Sequence, residues 1–146
     1  MIRQLSVCLL LYFIVFANQV AVHTYILHSS IQSKARKAVD GKWINTLDYI
    51  FRTMLLIVIC HLVNVMFWAV AYSIIGITEN FEMSFYVSIT NYTTLGTGDI
   101  ILPKSWNLLA PFEALCGIIM FAWSISFFYS IHEYILTKRL HLEKTR

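Results

Sequence analysis

The sequence predicts an all-α membrane protein with three transmembrane helices, and three observations lead there. Of 146 residues, 58% are hydrophobic and only 13% are charged; a soluble domain carries about 25% charged residues, too large a shortfall for a surface that faces water everywhere. The apolar residues are not alternating but fall in blocks over 5–27, 53–77 and 107–136, each long enough for the ~20 residues a spanning helix needs. Between the second and third blocks lies a short helix-like run, followed by the polar, glycine-bearing stretch Thr93-Thr94-Leu95-Gly96-Thr97-Gly98-Asp99. The predicted chain therefore has a re-entrant helix and loop between helices two and three.

The first block begins after Arg3 and contains small residues near Ala17, the layout of a signal peptide. It continues through Val20, Ala21, Val22, Tyr25 and Ile26, which exceeds the 7–15 residues of a signal core, so an uncleaved span over 1–28 is favoured. Residues 29–49 follow as a basic loop carrying Lys34, Arg36, Lys37 and Lys42, broken at Asp40-Gly41. Residues 31–39 fit either a short amphipathic helix on the headgroup surface or a solvated loop. Trp43 and Tyr49 suit interface anchors, and Arg52 can snorkel from the start of the second span. His61 and Asn64 lie near its middle, where polar side chains serve as helix–helix hydrogen-bond partners. Gly76 and Thr78-Glu79-Asn80 end it. The main unit is predicted over 50–137, with its last helix over 107–137 and a basic tail over 138–146.

Lys and Arg concentrate in cytoplasmic loops. The basic loop and the tail (Lys138, Arg139, Lys144, Arg146) then face the cytoplasm, and the N-terminus and re-entrant loop the outside, in a cell (inner) membrane. The same clusters lie on no soluble module with a basic face, so nucleic acid is not an expected partner. Cys8, Cys60 and Cys116 sit apart within apolar blocks and read as buried thiols. No Gly-x-Ser-x-Gly, His-Glu-x-x-His or phosphate-cradling loop occurs; neither a catalytic residue nor a cofactor is expected.

The short helix is predicted over 82–93. Asn80 offers an N-cap and Glu82 suits the positive end of the helix dipole. The eleven residues from Met83 to Thr93 rise only ~16 Å at 1.5 Å each, about halfway across the hydrocarbon, before Gly96 and Gly98 end the helical pattern. Non-helical backbone at such depth is tolerated only where it is buried in protein or lines a watery cavity. Glycine reaches backbone angles closed to other residues, and alternating it with ordinary residues lets successive carbonyls point the same way. Four such strands around one axis stack rings of oxygens that can replace the water shell of a monovalent cation. One loop cannot enclose an ion, so a closed ring of copies is expected.

In this feature the chain resembles the pore-loop potassium channels, whose filter reads Thr-Val-Gly-Tyr-Gly-Asp. Thr94-Leu95-Gly96-Thr97-Gly98-Asp99 matches it at the threonine, both glycines and the aspartate. The likeness extends to 81–94 as a pore helix and, through Trp106-Asn107-Leu108-Leu109-Ala110-Pro111-Phe112-Glu113-Ala114, Gly117 and Trp123-Ser124, to an inner helix. It spans over half the chain and leaves the N-terminal span unexplained. The resemblance implies a homotetramer in the lipid bilayer that passes monovalent cations. Potassium would be held as permeant ligand at Thr94, Leu95, Gly96, Thr97 and Gly98, with Thr93, Thr90 and Asp99 supporting the filter. Thr97 replaces the family's aromatic and Thr90 stands where a carboxylate is frequent, which predicts a looser outer filter. A weakly selective sodium/potassium channel and a non-conducting scaffold or accessory subunit are the alternative readings.

Glu113 reads either as a carboxylate bracing the filter loop or as a headgroup-level residue reaching water. Gly117 fits a hinge of the inner helix or close helix packing. Phe121, Ser124 and Phe128 recur at near-helical spacing, as cavity lining with an aromatic constriction or as packing. His132 and Glu133, near the inner end, fit a pH-sensitive gate or an interfacial location.

Overall fold

The structure, a computed structural model, describes residues 1–31, 43–96, 100 and 102–144. The basic cluster Lys34, Arg36, Lys37 and Lys42, the expected surface helix around it, Arg146, and the filter residues Thr97, Gly98 and Asp99 lie outside the described residues. The described chain is helical: α1 (Ile2–Ile31), α2 (Trp43–Ile75), α3 (Phe81–Tyr92) and α4 (Leu109–Lys144). Three of them, α1, α2 and α4, are long and apolar enough to cross a membrane. The fourth is the short helix between the second and third spans. The architecture is the expected all-α membrane fold.

The helices outrun the apolar blocks that predict them. α2 already begins at Trp43, within the segment read as loop or surface helix, and α4 continues to Lys144 rather than ending near 137. Hydropathy marks where a helix meets lipid, whereas the backbone ladder stops only at a breaker. Residues 137–144 contain no glycine or proline, so nothing there ends the ladder.

Chemistry at the ends of α2 and α3 accounts for the short connection between them. The Gly76 N–H donates to the Ser73 carbonyl and the Ile77 N–H to the Tyr72 carbonyl, both at 3.1 Å, with Gly76 at φ +73°. That is a Schellman cap with glycine in its left-handed position. Four residues later Asn80, in extended backbone, accepts from the Met83 N–H through its side chain at 2.8 Å, and α3 starts, with Glu82 in its first turn.

The chain divides into two compact units. One comprises Met1–Gln19 and His61–Ala122, the other Val20–Cys60 and Trp123–Arg146. In the first, Cys8, Leu11, Val15, Trp68, Tyr72, Val87, Leu109 and Cys116 are buried. Tyr12 meets Trp68 and Phe112 edge-on, with ring centroids 6.4 and 6.2 Å apart, and its hydroxyl donates to the Phe112 carbonyl at 2.8 Å. In the second, Ile26, Tyr49, Ile57, Ile131 and Ile135 form the core, with Phe127 and Phe128 packed against it. The His23 ring stacks on Phe127 at 3.9 Å. Arg139 is buried, its guanidinium 4.1 Å from the centre of the Trp43 ring and donating to Thr46. Arg52 pairs with Asp48 one turn back at 2.9 Å; both side chains are more than half exposed, so the pair contributes little.

Candidate functional site

The site is built outward from the end of α3. The Thr93 N–H bonds the Ile89 carbonyl, the Thr94 N–H the Asn91 carbonyl at 2.9 Å, and the Gly96 N–H reaches back to the Thr90 carbonyl at 3.0 Å. The chain thus folds over the last turn of the helix and uses the carbonyls that the helix end leaves unpaired. Thr94 has φ +62° and Gly96 φ +81°. Glycine adopts that region readily, but a β-branched residue there is an outlier that costs about 1–3 kcal/mol. Among the described non-glycine residues only Thr94 has positive φ, so the one strained backbone residue falls at the first position of the predicted filter. Leu95, between the two, is 80% exposed: the segment is held by backbone bonds to α3, not by side-chain burial.

Thr90 and Thr93 are turned inward on their own helix. Thr90 Oγ1 donates to the Tyr86 and Val87 carbonyls at 2.8 and 3.0 Å, and Thr93 Oγ1 donates to the Ile89 carbonyl at 2.7 Å. Both hydroxyls are therefore engaged with the backbone of α3 itself.

Glu113 is fully buried on α4. The Tyr72 hydroxyl donates to its Oε2 at 2.6 Å, and Ser88 Oγ lies 2.6 Å from its Oε1. Ser88 Oγ is also 2.8 Å from the Val65 carbonyl oxygen. One carboxyl group therefore ties α4 to α2 and to α3, and both of these partners are on helices rather than on the loop. In lipid, helices gain little from excluding water from one another, so hydrogen bonds and close packing carry their association.

A second polar cluster lies around Tyr92, the last residue of α3, which is 1% exposed. His61 Nδ1 is 3.0 Å from the Tyr92 hydroxyl. Asn64 Nδ2 donates to the same hydroxyl at 3.3 Å and to Gln19 Oε1 at 3.1 Å, while Asn18 Nδ2 donates to Asn64 Oδ1 at 2.8 Å. Asn64 thereby uses both its donors and its acceptor to join α1, α2 and α3. The Tyr92 ring packs edge-on against Phe121 at 5.4 Å, and His61 lies 4.5 Å from Phe121.

Gly117 lies against the backbone of this same tyrosine. A Cβ at Gly117 would overlap the Tyr92 carbonyl oxygen and stand 2.9 Å from the carbonyl carbon. The glycine is thus a point of close approach between α4 and the end of α3. Phe121 packs on Tyr92 and His61. In the second unit, Ser124 is buried, and Phe128 packs on the core and stacks with His132 at 6.1 Å.

The structure thus brings Thr90, Thr93, Thr94, Leu95 and Gly96 together at the end of α3, with Gly117 and Phe121 of α4 beside it and Glu113 also on α4. Tyr72, Ser88, Tyr92, Asn18, Gln19 and Gln4 were not singled out from the sequence. The usable signal was polarity inside apolar blocks: a polar side chain at membrane depth has a partner, and Asn18, Gln19 and Ser88 are such residues.

Compared with known proteins, residues 58–133, just over half the chain, match the family model described as ion channel. Neither a curated protein nor a solved structure matches. The matched region contains α3, the predicted filter segment, and Glu113 with its partners Tyr72 and Ser88.

Proposed function

Since this chain belongs to the ion-channel family and is a multi-pass membrane protein, we propose that it is a homotetrameric, potassium-conducting channel. Its ion path runs along the backbone carbonyls of 94–98. The observation that carries this reading is the positive φ at both Thr94 and Gly96, on either side of Leu95, immediately after the capped end of α3. Alternating backbone hand is the condition under which successive carbonyls line one side of a strand. The C-terminal end of a helix carries about half a negative charge, and that end of α3 leads directly into the segment. Four copies would direct four such ends at a common axis and favour a cation there. Permeant potassium is the ligand, and the lipid bilayer and three further copies of the chain are the partners. The proposed orientation puts the filter entrance outside and the basic loop and C-terminus in the cytoplasm of the cell membrane.

Thr97 favours a second reading at the level of selectivity. A threonine cannot make the contacts of the aromatic it replaces, and a filter with less support discriminates less between sodium and potassium. The reversal potential of the purified protein in planar bilayers, with potassium on one side and sodium on the other, tests both readings. A potential favouring potassium supports the first, one near zero supports weak selectivity, and no current from an assembled protein overturns conduction in favour of a scaffold.

A further inference from the structure

The N-terminal helix is the part of the molecule that the pore-loop core does not require. Its buried stripe within the first unit runs Gln4, Cys8, Leu11, Val15, Gln19, a helical spacing of three and four residues that gives one face. The middle of this stripe is apolar and both ends are amides. Burying an amide in a lipid-embedded helix is costly without a partner, so the placement of the two glutamines is informative.

Gln19 is 0% exposed and accepts from Asn64, which also donates to Tyr92. Tyr92 is the last residue of α3, and the segment 94–96 follows directly. Gln4, at the other end of the stripe, meets the chain that returns from the filter. Its amide donates to the Ser105 carbonyl, and its Oε1 accepts from the Leu108 N–H at 3.3 Å. Leu108 precedes the first residue of α4, where helix N–H groups have no partner within the helix, so Gln4 supplies an acceptor that the sequence of α4 lacks. Arg3 adds its guanidinium 4.5 Å from the centre of the Trp106 ring, and Tyr12 bonds the Phe112 carbonyl one turn into α4.

One rigid helix therefore holds the chain on both sides of the predicted filter: before it, through Gln19, Asn64 and Tyr92, and after it, through Gln4 at Ser105 and Leu108. We propose that α1 is a filter-positioning element, with Gln4 and Gln19 as positioning residues that set how sharply the filter discriminates among monovalent cations. This inference rests on the reading of 94–98 as the ion path.

The test is a pair of measurements on the full-length protein reconstituted in lipid. The first is the potassium-over-sodium permeability ratio from reversal potentials for wild type, Gln4→Leu, Gln19→Leu, Tyr92→Phe and the double variant Gln19→Leu/Tyr92→Phe. Losing one net hydrogen bond corresponds to about a five-fold change in an equilibrium, so each single variant should lower the ratio several-fold. Gln19→Leu and Tyr92→Phe should be non-additive, because both break the chain through Asn64. Phe13→Leu, on a 70% exposed residue of α1, should leave the ratio unchanged. The second measurement is amide hydrogen exchange over 93–108, which should accelerate in Gln4→Leu and Gln19→Leu without loss of assembly. A purely adhesive α1 would alter stability but neither the ratio nor the exchange; that result overturns the proposal. If assembled wild type passes no current but the exchange responds, the ion-path reading fails while the positioning of this segment by α1 stands. If Gln4→Leu does not assemble, Gln4→Asn, which keeps both the amide donor and the acceptor on a shorter side chain, takes its place; unchanged exchange over 105–108 and an unchanged ratio in that variant overturn the role of Gln4.

Discussion

Gly117 on α4 and Tyr92 at the end of α3 touch backbone to backbone: a Cβ on the glycine would overlap the tyrosine's carbonyl oxygen and stand 2.9 Å from its carbon. Tyr92 is held from the other side by His61 and Asn64. The end of α3 is thus gripped between a small residue on α4 and a polar cluster on α2, and the segment carrying Thr94 and Gly96 grows out of that grip.

Gly117→Ala should therefore act as an overpacking mutation at the site. The neighbour is backbone and cannot rotate aside, so a cost of about 1–3 kcal/mol is expected. Thermal unfolding of the purified assembly should show a lower Tm, and flux should fall with it. A variant with wild-type Tm and flux would show that α4 gives way at this point and that the contact is not tight.

Glu113 is a hub. Removing it as Glu113→Leu leaves the Tyr72 hydroxyl buried without its acceptor, at about 1–3 kcal/mol for each buried polar group stranded. Tyr72→Phe in turn leaves Glu113 Oε2 buried without this donor, while Ser88 still reaches the other carboxyl oxygen, so it should also destabilise. In the combination Tyr72→Phe/Glu113→Leu the two effects should be less than additive, since the groups contact each other directly. Denaturation of the four proteins in one detergent measures the cycle; strict additivity would mean that the 2.6 Å contact contributes nothing.

Much of this arrangement was legible in the sequence, and the reasons are physical. The spans follow from block hydropathy, α3 from Asn80 and Glu82, and its end from the glycines that follow. Gly117 was readable only as hinge or packing residue, because one sequence carries no record of what lies opposite a glycine. Gln4 was not legible at all: its partners are the backbone of 105 and 108, a hundred residues away, and backbone groups leave no mark in the residue pattern. The ends of α2 and α4 were misplaced because lipid contact and helicity end at different residues.

Thr94 carries strain that a substitution can reveal. At φ +62°, glycine relieves the steric cost of the left-handed region, offset in part by the greater entropy of the unfolded glycine. Thr94→Gly is expected to raise stability by about 1 kcal/mol while lowering conduction, and Thr94→Val, equally β-branched, should gain no stability. Chemical denaturation alongside flux separates the two effects.

Arg139 provides a comparison far along the chain from the predicted filter. Its guanidinium bonds Thr46 and covers Trp43; cation–π contacts contribute about 0.5–2 kcal/mol. Arg139→Ala should lower Tm without changing the permeability ratio, and Arg139→Lys should recover only part of the loss, since an ammonium lacks the planar fork. A changed ratio would mean that this region also influences the filter.

The most direct test of the central claim is potassium flux from liposomes containing wild type or Gly96→Ala at equal content of assembled protein. Gly96 has φ +81° and open space where a Cβ would go, so alanine acts through the backbone angle, at about 1–2 kcal/mol, and not through crowding. Wild type should show a barium-sensitive potassium flux, and Gly96→Ala should lose it. An assembled wild type without flux, or a Gly96→Ala protein conducting as well as wild type, would contradict the ion-path reading.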